Sequence, residues 1–345
     1  MFVCPSCGVA QARVSEEWRT QAADIYASYR TYEAGGGEEQ KVIGQEEGAM
    51  EGRSHVLVQW LVAHGHLPVK GRILDVGCGR GAFLRAFWSS FPAWELYGSE
   101  VDGRNKGVLE TMPGFRSLQT QGITHLNGEY EMVSMVHVLE HIENPVTALV
   151  ALRQKAKKGA RLLLQVPDWQ SNPFVLAIAD HATHFTADSL KQVAEAAGWK
   201  TLLPVTRVVA KELTLLAEAS SPAEMEKRPA RPEEKLLASR LAWLQGVRQQ
   251  AERISAACER FGIFGTAVAG TWVAGTRPKH LEFFVDEDTN RIGRRHLNLP
   301  IMSPEKIPAR AEVLVCLAPE ISARLVQKYS HGHVKFHGVA PLAEP

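Results

Sequence analysis

Ile73, Leu74, Asp75 and Val76 form a short apolar run that stops at three glycines, Gly77, Gly79 and Gly81. Helical periodicity starts at once, with Phe83, Leu84 and Phe87 on one face. The order is strand, tight turn, helix. Glycines at such a turn let the backbone pass close to a ligand, because no Cβ is in the way. The helix start offers unpaired N–H groups to an anionic group. Asp75 separates this loop from the dinucleotide turn G-x-G-x-x-G, since a carboxylate at the strand end repels a pyrophosphate. It suits a ligand that carries an ammonium and a sulfonium. The chain is therefore expected to be α/β, built on a parallel sheet around this turn.

The neighbouring segments extend that sheet. Trp94 to Glu100 reads as a second strand ending on Glu100, about twenty residues past the glycines, where an acid can accept both hydroxyls of a ribose. Asp102 is a weaker second candidate. Phe115 to Thr120 reads as the third strand, which leaves Gln121 and Gly122 where an adenine would lie. Tyr130 to Val138 is the fourth, with Met135 near its end, and it runs into His137-Val138-Leu139-Glu140-His141. Ligands bind at the carboxyl ends of parallel strands, which draws His137, Glu140 and His141 into the candidate site. A helix over Val146 to Lys155 precedes the fifth strand, Arg161 to Pro167. Beyond that strand stand His181 and His184, three apart, as candidate bases or acceptor ligands alongside a bracing role in the loop. Thr186 to Gly198 reads as a capped helix, and Trp199 to Leu216 as two closing strands.

The flanks differ in character. Cys4 and Cys7 form a C-x-x-C knuckle, half of a structural zinc site, with no second pair nearby. Free thiols and a metal completed by water or a distant residue both stand. Residues 15 to 34 read as an aromatic-bearing helix. Gly35 to Gly37 read as a loop or as the hinge of a lid, with Tyr29 or Tyr32 shielding a cofactor. Residues 46 to 66 read as a helix beside the first strand. Prolines and charges over 218 to 235 mark a linker, and Glu233 to Phe261 carries apolar residues at helical spacing. Phe261 to Trp272 then repeats strand, turn and helix, and Leu281 to Asp286 is a strand ending on an acid. Here Gly265-x-Ala267-x-x-Gly270 replaces the middle glycine by alanine, which crowds a pyrophosphate. A weaker nucleotide contact at Thr266, Ala267 and Asp286 stands beside a purely structural or docking role.

The D-x-G-x-G-x-G loop over Asp75 to Gly81 resembles the first motif of class I S-adenosylmethionine (SAM) methyltransferases. The run His137 to Pro145 resembles the H-V-L-E-H-I-x-x-P that follows the fourth strand in many of them. Nearly the whole chain resembles the bacterial deoxysugar C-methyltransferase group, most strongly at 73–81, 137–145, 180–185 and 263–303. It lacks that group's first cysteine pair, and its C-terminal glycine turn is altered. The resemblance implies a Rossmann-like seven-stranded methyltransferase sheet with a second, smaller C-terminal Rossmann-like α/β domain. The boundaries are 1–45 for the knuckle, helix and lid, 46–218 for the methyltransferase domain, 219–262 for the linker and long helix, and 263–345 for the last domain. It implies SAM held by Asp75, Gly77, Cys78, Gly79, Gly81, Glu100, Val101, Gln121, Met135 and His137. It implies methyl transfer to a sugar, nucleotide-linked or in a glycan, with His137, Glu140, His141, His181 and His184 around the reaction. It also suggests zinc at Cys4 and Cys7. A methyltransferase on a small metabolite or lipid precursor, and a nicotinamide-dependent oxidoreductase using the second glycine turn, are the alternatives.

Composition narrows the partners. The 345 residues carry a net charge of +1, so there is no electrostatic footprint for nucleic acid. No apolar run is long enough to span a bilayer. Five cysteines, odd in number, fit a reducing cytosol, and residues 1–7 lack a signal-peptide pattern. A small-molecule or sugar acceptor and a homodimer are the partners expected.

Overall fold

The computed structural model describes residues 1–5, 7–28, 41–43, 50–223, 231–330 and 332–343. In chain order the first elements are β1 (Phe2–Val3), β2 (Ala10–Gln11), α1 (Glu16–Ser28), β3 (Lys41–Ile43), β4 (Met50–Gly52) and α2 (Arg53–His64). Next come β5 (Arg72–Val76), α3 (Ala82–Ser90), β6 (Glu95–Ser99), α4 (Lys106–Glu110), β7 (Phe115–Gln119) and β8 (Tyr130–Val136). They are followed by α5 (Pro145–Arg153), β9 (Ala156–Pro167), β10 (Thr183–His184), α6 (Ala187–Ala196), β11 (Trp199–Thr201) and β12 (Glu212–Ala219). The described residues of Met1–Thr20, Glu39–Asp168 and Asp180–Ala230 form one unit, and those of Gln21–Glu38, Trp169–Ala179 and Arg231–Pro345 a second.

The first unit is organised by a seven-stranded sheet of order β11-β12-β9-β8-β5-β6-β7. β12 is antiparallel to both its neighbours, and all other pairs are parallel. Alternation along the strands feeds two cores. Leu74, Val133, Leu162 and Leu164 face one, closed by Leu149 and Leu152 of α5 and Leu190 and Val193 of α6. Ile73, Met132 and Leu163 face the other, closed by Leu57 and Leu61 of α2 and Phe83, Leu84 and Phe87 of α3. Each fully buried leucine contributes about 1.5–3 kcal/mol, so the sheet is held rigidly from both sides. β5 is central: the chain winds outward to β6 and β7, then returns to β8 on its other side. That reversal opens a crevice at the strand ends between β5 and β8.

Several boundaries differ from the sequence reading. Residues 50–52 are strand, paired with β3, and the helix starts only at Arg53, because extended backbone at Gly52 (φ −64°, ψ 137°) precedes it. β9 begins at Ala156, five residues early, running through Gly159 in a left-handed conformation. α6 is capped by Thr186, whose hydroxyl accepts from the Ser189 N–H at 3.1 Å while the Ser189 hydroxyl accepts from the Thr186 N–H. α1 is helical to Ser28. Tyr29, Tyr32 and the glycines 35–37, proposed as a lid, lie outside the described residues.

The second unit holds α7 (Arg231–Ala257), β13 (Phe261–Phe264), α8 (Val268–Gly275), β14 (Leu281–Val285), β15 (Arg295–His296) and β16 (Leu299–Met302). It ends with β17 (Glu312–Val315), α9 (Pro319–Tyr329) and β18 (Lys335–Gly338). The sheet order is β15-β16-β14-β13-β17-β18, parallel except for the β15 edge. α7 stops at Ala257, before Phe261 opens β13. A Cβ on Gly270 would overlap the carbonyl oxygen of Gly265, so glycine is what lets α8 sit against this turn. Residues 169–179 pack within this unit, with the Phe174 ring 5.1 Å from Trp243 and 6.2 Å from Trp272.

Candidate active site

The loop after β5 is built from backbone. Gly77, Gly79 and Gly81 have φ of 70°, 51° and 79°, values that L side chains rarely adopt. A Cβ on Gly77 would also overlap Cγ2 of Val138. The Gly77 and Cys78 N–H groups donate to the Ser99 carbonyl at 2.7 and 3.1 Å, which ties the loop to the end of β6. Glu100 follows directly. Its Oε2 accepts from the Gly79 N–H at 2.8 Å and its Oε1 from the Val101 N–H at 2.9 Å. Each carboxylate oxygen accepts one backbone donor and retains capacity for another, as two ribose hydroxyls require.

Beside this carboxylate lies a cavity of about 570 Å³, within the range of small-molecule sites. Gly77, Glu100, Val101 and Gln121 line it, with Ile123 and Val138 as apolar walls. The set fits a nucleoside: an acid for the ribose, apolar side chains for a base, and a backbone stripped of Cβ. Glu143 also lines the cavity and accepts from Arg19 Nε and Nη2, both at 3.0 Å. Sequence reasoning did not single out either residue of that pair.

Other residues expected to hold a cofactor lie off the cavity wall. Asp75 is 3% exposed, and its Oδ1 accepts from Ser134 Oγ at 2.7 Å. Burial pushes its carboxyl up to about 7; Ser134 opposes this and Glu100 adds to it. Met135 is fully buried in the sheet core. Cys78 is buried with its Sγ against Gly98, where burial pushes the thiol up. Gly81 backs onto Met112 and Leu109.

The histidines divide into groups. His137 follows β8 with φ 56°, a left-handed conformation that a non-glycine residue adopts at a cost of about 1–2 kcal/mol. Its Nδ1 is 3.2 Å from Glu140 Oε1 and its Nε2 is 3.1 Å from Glu212 Oε2. Burial opposes the imidazolium, but Glu212 and Glu140 outweigh it, against Arg53, and the ring is pushed up to about 9. Glu140, 2% exposed, is drawn down to about 2 despite its burial, by His137 first and then His141 and His181. Arg53 Nε lies 3.2 Å from Glu212 Oε1 and completes the group. Sequence reading missed Glu212 and Arg53. A signal existed for Glu212: it is an acid opening the apolar strand Leu213 to Ala217, and β12 runs antiparallel, so its first residue stands opposite Pro167 at the end of β9.

His141 and His181 form a second group. His141 Nδ1 is 3.1 Å from Asp180 Oδ2, and its ring meets that of His181 edge to face at 4.8 Å. Burial, aided by His141, holds His181 down to about 4. Burial with His181 holds His184 down to about 3. Both are neutral near pH 7. His184 lies in β10, whose Thr183 and His184 pair with Gln11 and Ala10 of β2. The cysteine knuckle is the turn between β1 and β2, where the Gly8 N–H donates to the Cys4 carbonyl at 2.9 Å. Burial, with Cys4, pushes the Cys7 thiol up to about 11. Among the described residues no third histidine, cysteine or carboxylate joins the two thiols. Two ligands fall short of a structural zinc site's four.

In the second unit the Asp286 carboxylate accepts from Thr266 Oγ1 at 2.5 Å and lies 3.6 Å from Arg291 Nη1. Among the described residues no helix is long and apolar enough to cross a membrane.

Residues 51–203 match the family model described as a methyltransferase domain. The ubiquinone biosynthesis O-methyltransferase of Burkholderia pseudomallei (strain 1710b) is 27% identical over 131 residues, covering 36% of this chain and 55% of that protein. The protein of the same name from Cereibacter sphaeroides (strain ATCC 17023) is 27% identical over 120 residues, covering 32% and 48%. The chain thus spans about half the length of the curated relatives it matches. Among solved structures, Burkholderia thailandensis 1,6-didemethyltoxoflavin-N1-methyltransferase, with bound 1,6-didemethyltoxoflavin and S-adenosylhomocysteine, aligns with a TM-score of 0.46 at 16% identity. That alignment covers 62% of this chain and 95% of the other.

Proposed function

We propose that this chain, whose residues 51–203 carry a methyltransferase domain of the class I SAM-dependent type, moves a methyl group from SAM to a small acceptor, a sugar being the class favoured. One observation carries the reading of methyl transfer: Glu100 bridges the Gly79 and Val101 N–H groups at the mouth of the cavity, set to take a ribose. SAM would supply an electrophilic methyl on a sulfonium. The residues of this chain then have three tasks. Gly77 and Glu100 orient the nucleoside, with the Gly79 N–H holding Glu100; Val138 and Ile123 exclude water from its apolar face; and the histidine–carboxylate group handles the acceptor's proton. His137 has both ring nitrogens engaged, by Glu140 and Glu212, and so positions that group rather than donating to the acceptor itself.

The sugar reading is supported by the resemblance over 180–185 and 263–303 and by the parallel α/β arrangement of the second unit. The nicotinamide alternative is disfavoured because Thr266 and Arg291 already engage the Asp286 carboxylate, the group that would receive a second ribose. Calorimetry with SAM and with S-adenosylhomocysteine tests the first step, and mass spectrometry after incubation with nucleotide-sugars and with phenolic acceptors tests the second. A sugar product heavier by one methylene is expected. Methylation of phenols alone would remove the sugar reading while leaving methyl transfer in place.

A further inference from the structure

The turn after β8 and the loop before β10 bring together donors that the transfer of a methyl group does not by itself require. One ligand atom each from Glu140, His141 and His181 lie within 4.8 Å of one another. In a tetrahedral ion with bonds of about 2.1 Å the ligands stand about 3.4 Å apart, so modest side-chain rotations close the set. Two of the atoms available are costly to leave as they are. Glu140 Oε2 and His181 Nδ1 are buried without a hydrogen-bond partner, on residues only 2% and 5% exposed. The remaining atoms are already oriented. Glu140 Oε1 faces His137 Nδ1 at 3.2 Å, which directs the other oxygen away from that ring. Asp180 Oδ2 stands 3.1 Å from His141 Nδ1, the kind of carboxylate that lies behind a ligating histidine and fixes its ring.

We propose that Glu140, His141 and His181 form a site for a divalent transition-metal ion, with Asp180 as a positioning residue. Two imidazoles and a carboxylate select ions of the zinc, cobalt or iron class over magnesium or calcium, which take oxygen ligands. Three protein ligands leave one position open, the pattern of sites that take water or a substrate oxygen. The ion site does not depend on which acceptor is methylated, and it is separate from the Cys4–Cys7 knuckle.

The test uses the full chain, stripped with a chelator and titrated with zinc, then with cobalt. One zinc per chain is expected, retained in a Cys4→Ser, Cys7→Ser double variant. Glu140→Gln and His181→Ala should each weaken zinc binding at least tenfold. The cobalt complex of the unaltered chain should show ligand-field bands without thiolate charge-transfer absorption, a readout that needs no variant to fold. Absence of binding, loss of the ion in the double cysteine variant, or a thiolate-type cobalt spectrum would each overturn the site. Equal affinity for zinc in a folded Glu140→Gln variant would do the same.

Discussion

The Ser134 hydroxyl donates to Asp75 Oδ1 at 2.7 Å, joining β8 to β5 through a carboxyl that is almost wholly buried beneath the glycine loop. Burial lifts that carboxyl to about 7 from an ordinary 3.8, so the folded chain keeps a proton that the unfolded chain releases between those values. Stability from this group is full below about pH 4 and is lost as the pH rises through 7. Asp75→Asn keeps the acceptor for Ser134 and removes the charge. Its stability, read from melting curves, should match that of the unaltered chain near pH 4 and exceed it at pH 8, by on the order of a few kcal/mol. Parallel melting curves across that range would show that Asp75 does not titrate there.

Glu100 should dominate affinity for the cofactor. Glu100→Ala removes the acceptor proposed for two ribose hydroxyls and leaves the Gly79 N–H without its partner. A loss of about 3 kcal/mol, on the order of a hundredfold in Kd for S-adenosylhomocysteine by calorimetry, is expected. Unchanged binding would place the nucleoside elsewhere.

Gly77 carries a steric prediction with an internal control. Gly77→Ala forces a side chain onto φ 70° and into Val138, at about 1–3 kcal/mol of stability. Pairing it with Val138→Ala should recover the overlap but not the dihedral strain, so denaturant midpoints for the double variant should lie between those of Gly77→Ala and the parent. Strict additivity of the two losses would mean the residues do not meet.

His137 holds two buried acids apart from water. His137→Ala leaves Glu140 and Glu212 without their shared partner, and urea unfolding should report a loss of about 3–5 kcal/mol. Glu212→Gln should cost less, since His137 then keeps Glu140. If the order were reversed, Arg53 rather than His137 would be the main support of Glu212.

Legibility from sequence followed sequence distance. The glycine loop and Glu100 could be read because the turn, its glycines and the acid lie within one βαβ unit, where spacing constrains geometry. His137, Glu140 and His141 were readable for the same reason, in one turn after one strand. Glu212 meets His137, Arg53 meets Glu212 and Asp180 meets His141 only through tertiary packing, and the one local mark was an acid, Glu212, opening an apolar strand. Asp75 shows a different limit. Its motif position was evident, but its side chain turns into the sheet toward Ser134, and that direction depends on the neighbouring strand. Residues 169–179 look like an insertion in the methyltransferase domain, yet Phe174 packs on Trp243 and Trp272, which no periodicity announces.

The pairing of β2 with β10 has a kinetic meaning. Ala10 and His184 stand about half the chain length apart, and only two residues on each side make the ladder. Closing so long a loop for so few hydrogen bonds is entropically late work. The sheet and its glycine cradle can therefore form while the strand bearing His184 is still loose. Hydrogen exchange should find the amides of Thr183 and His184 opening ahead of those in β5 and β8. A chain that already holds its cofactor would then still need residues 2–11 to dock before the histidines take up their final arrangement.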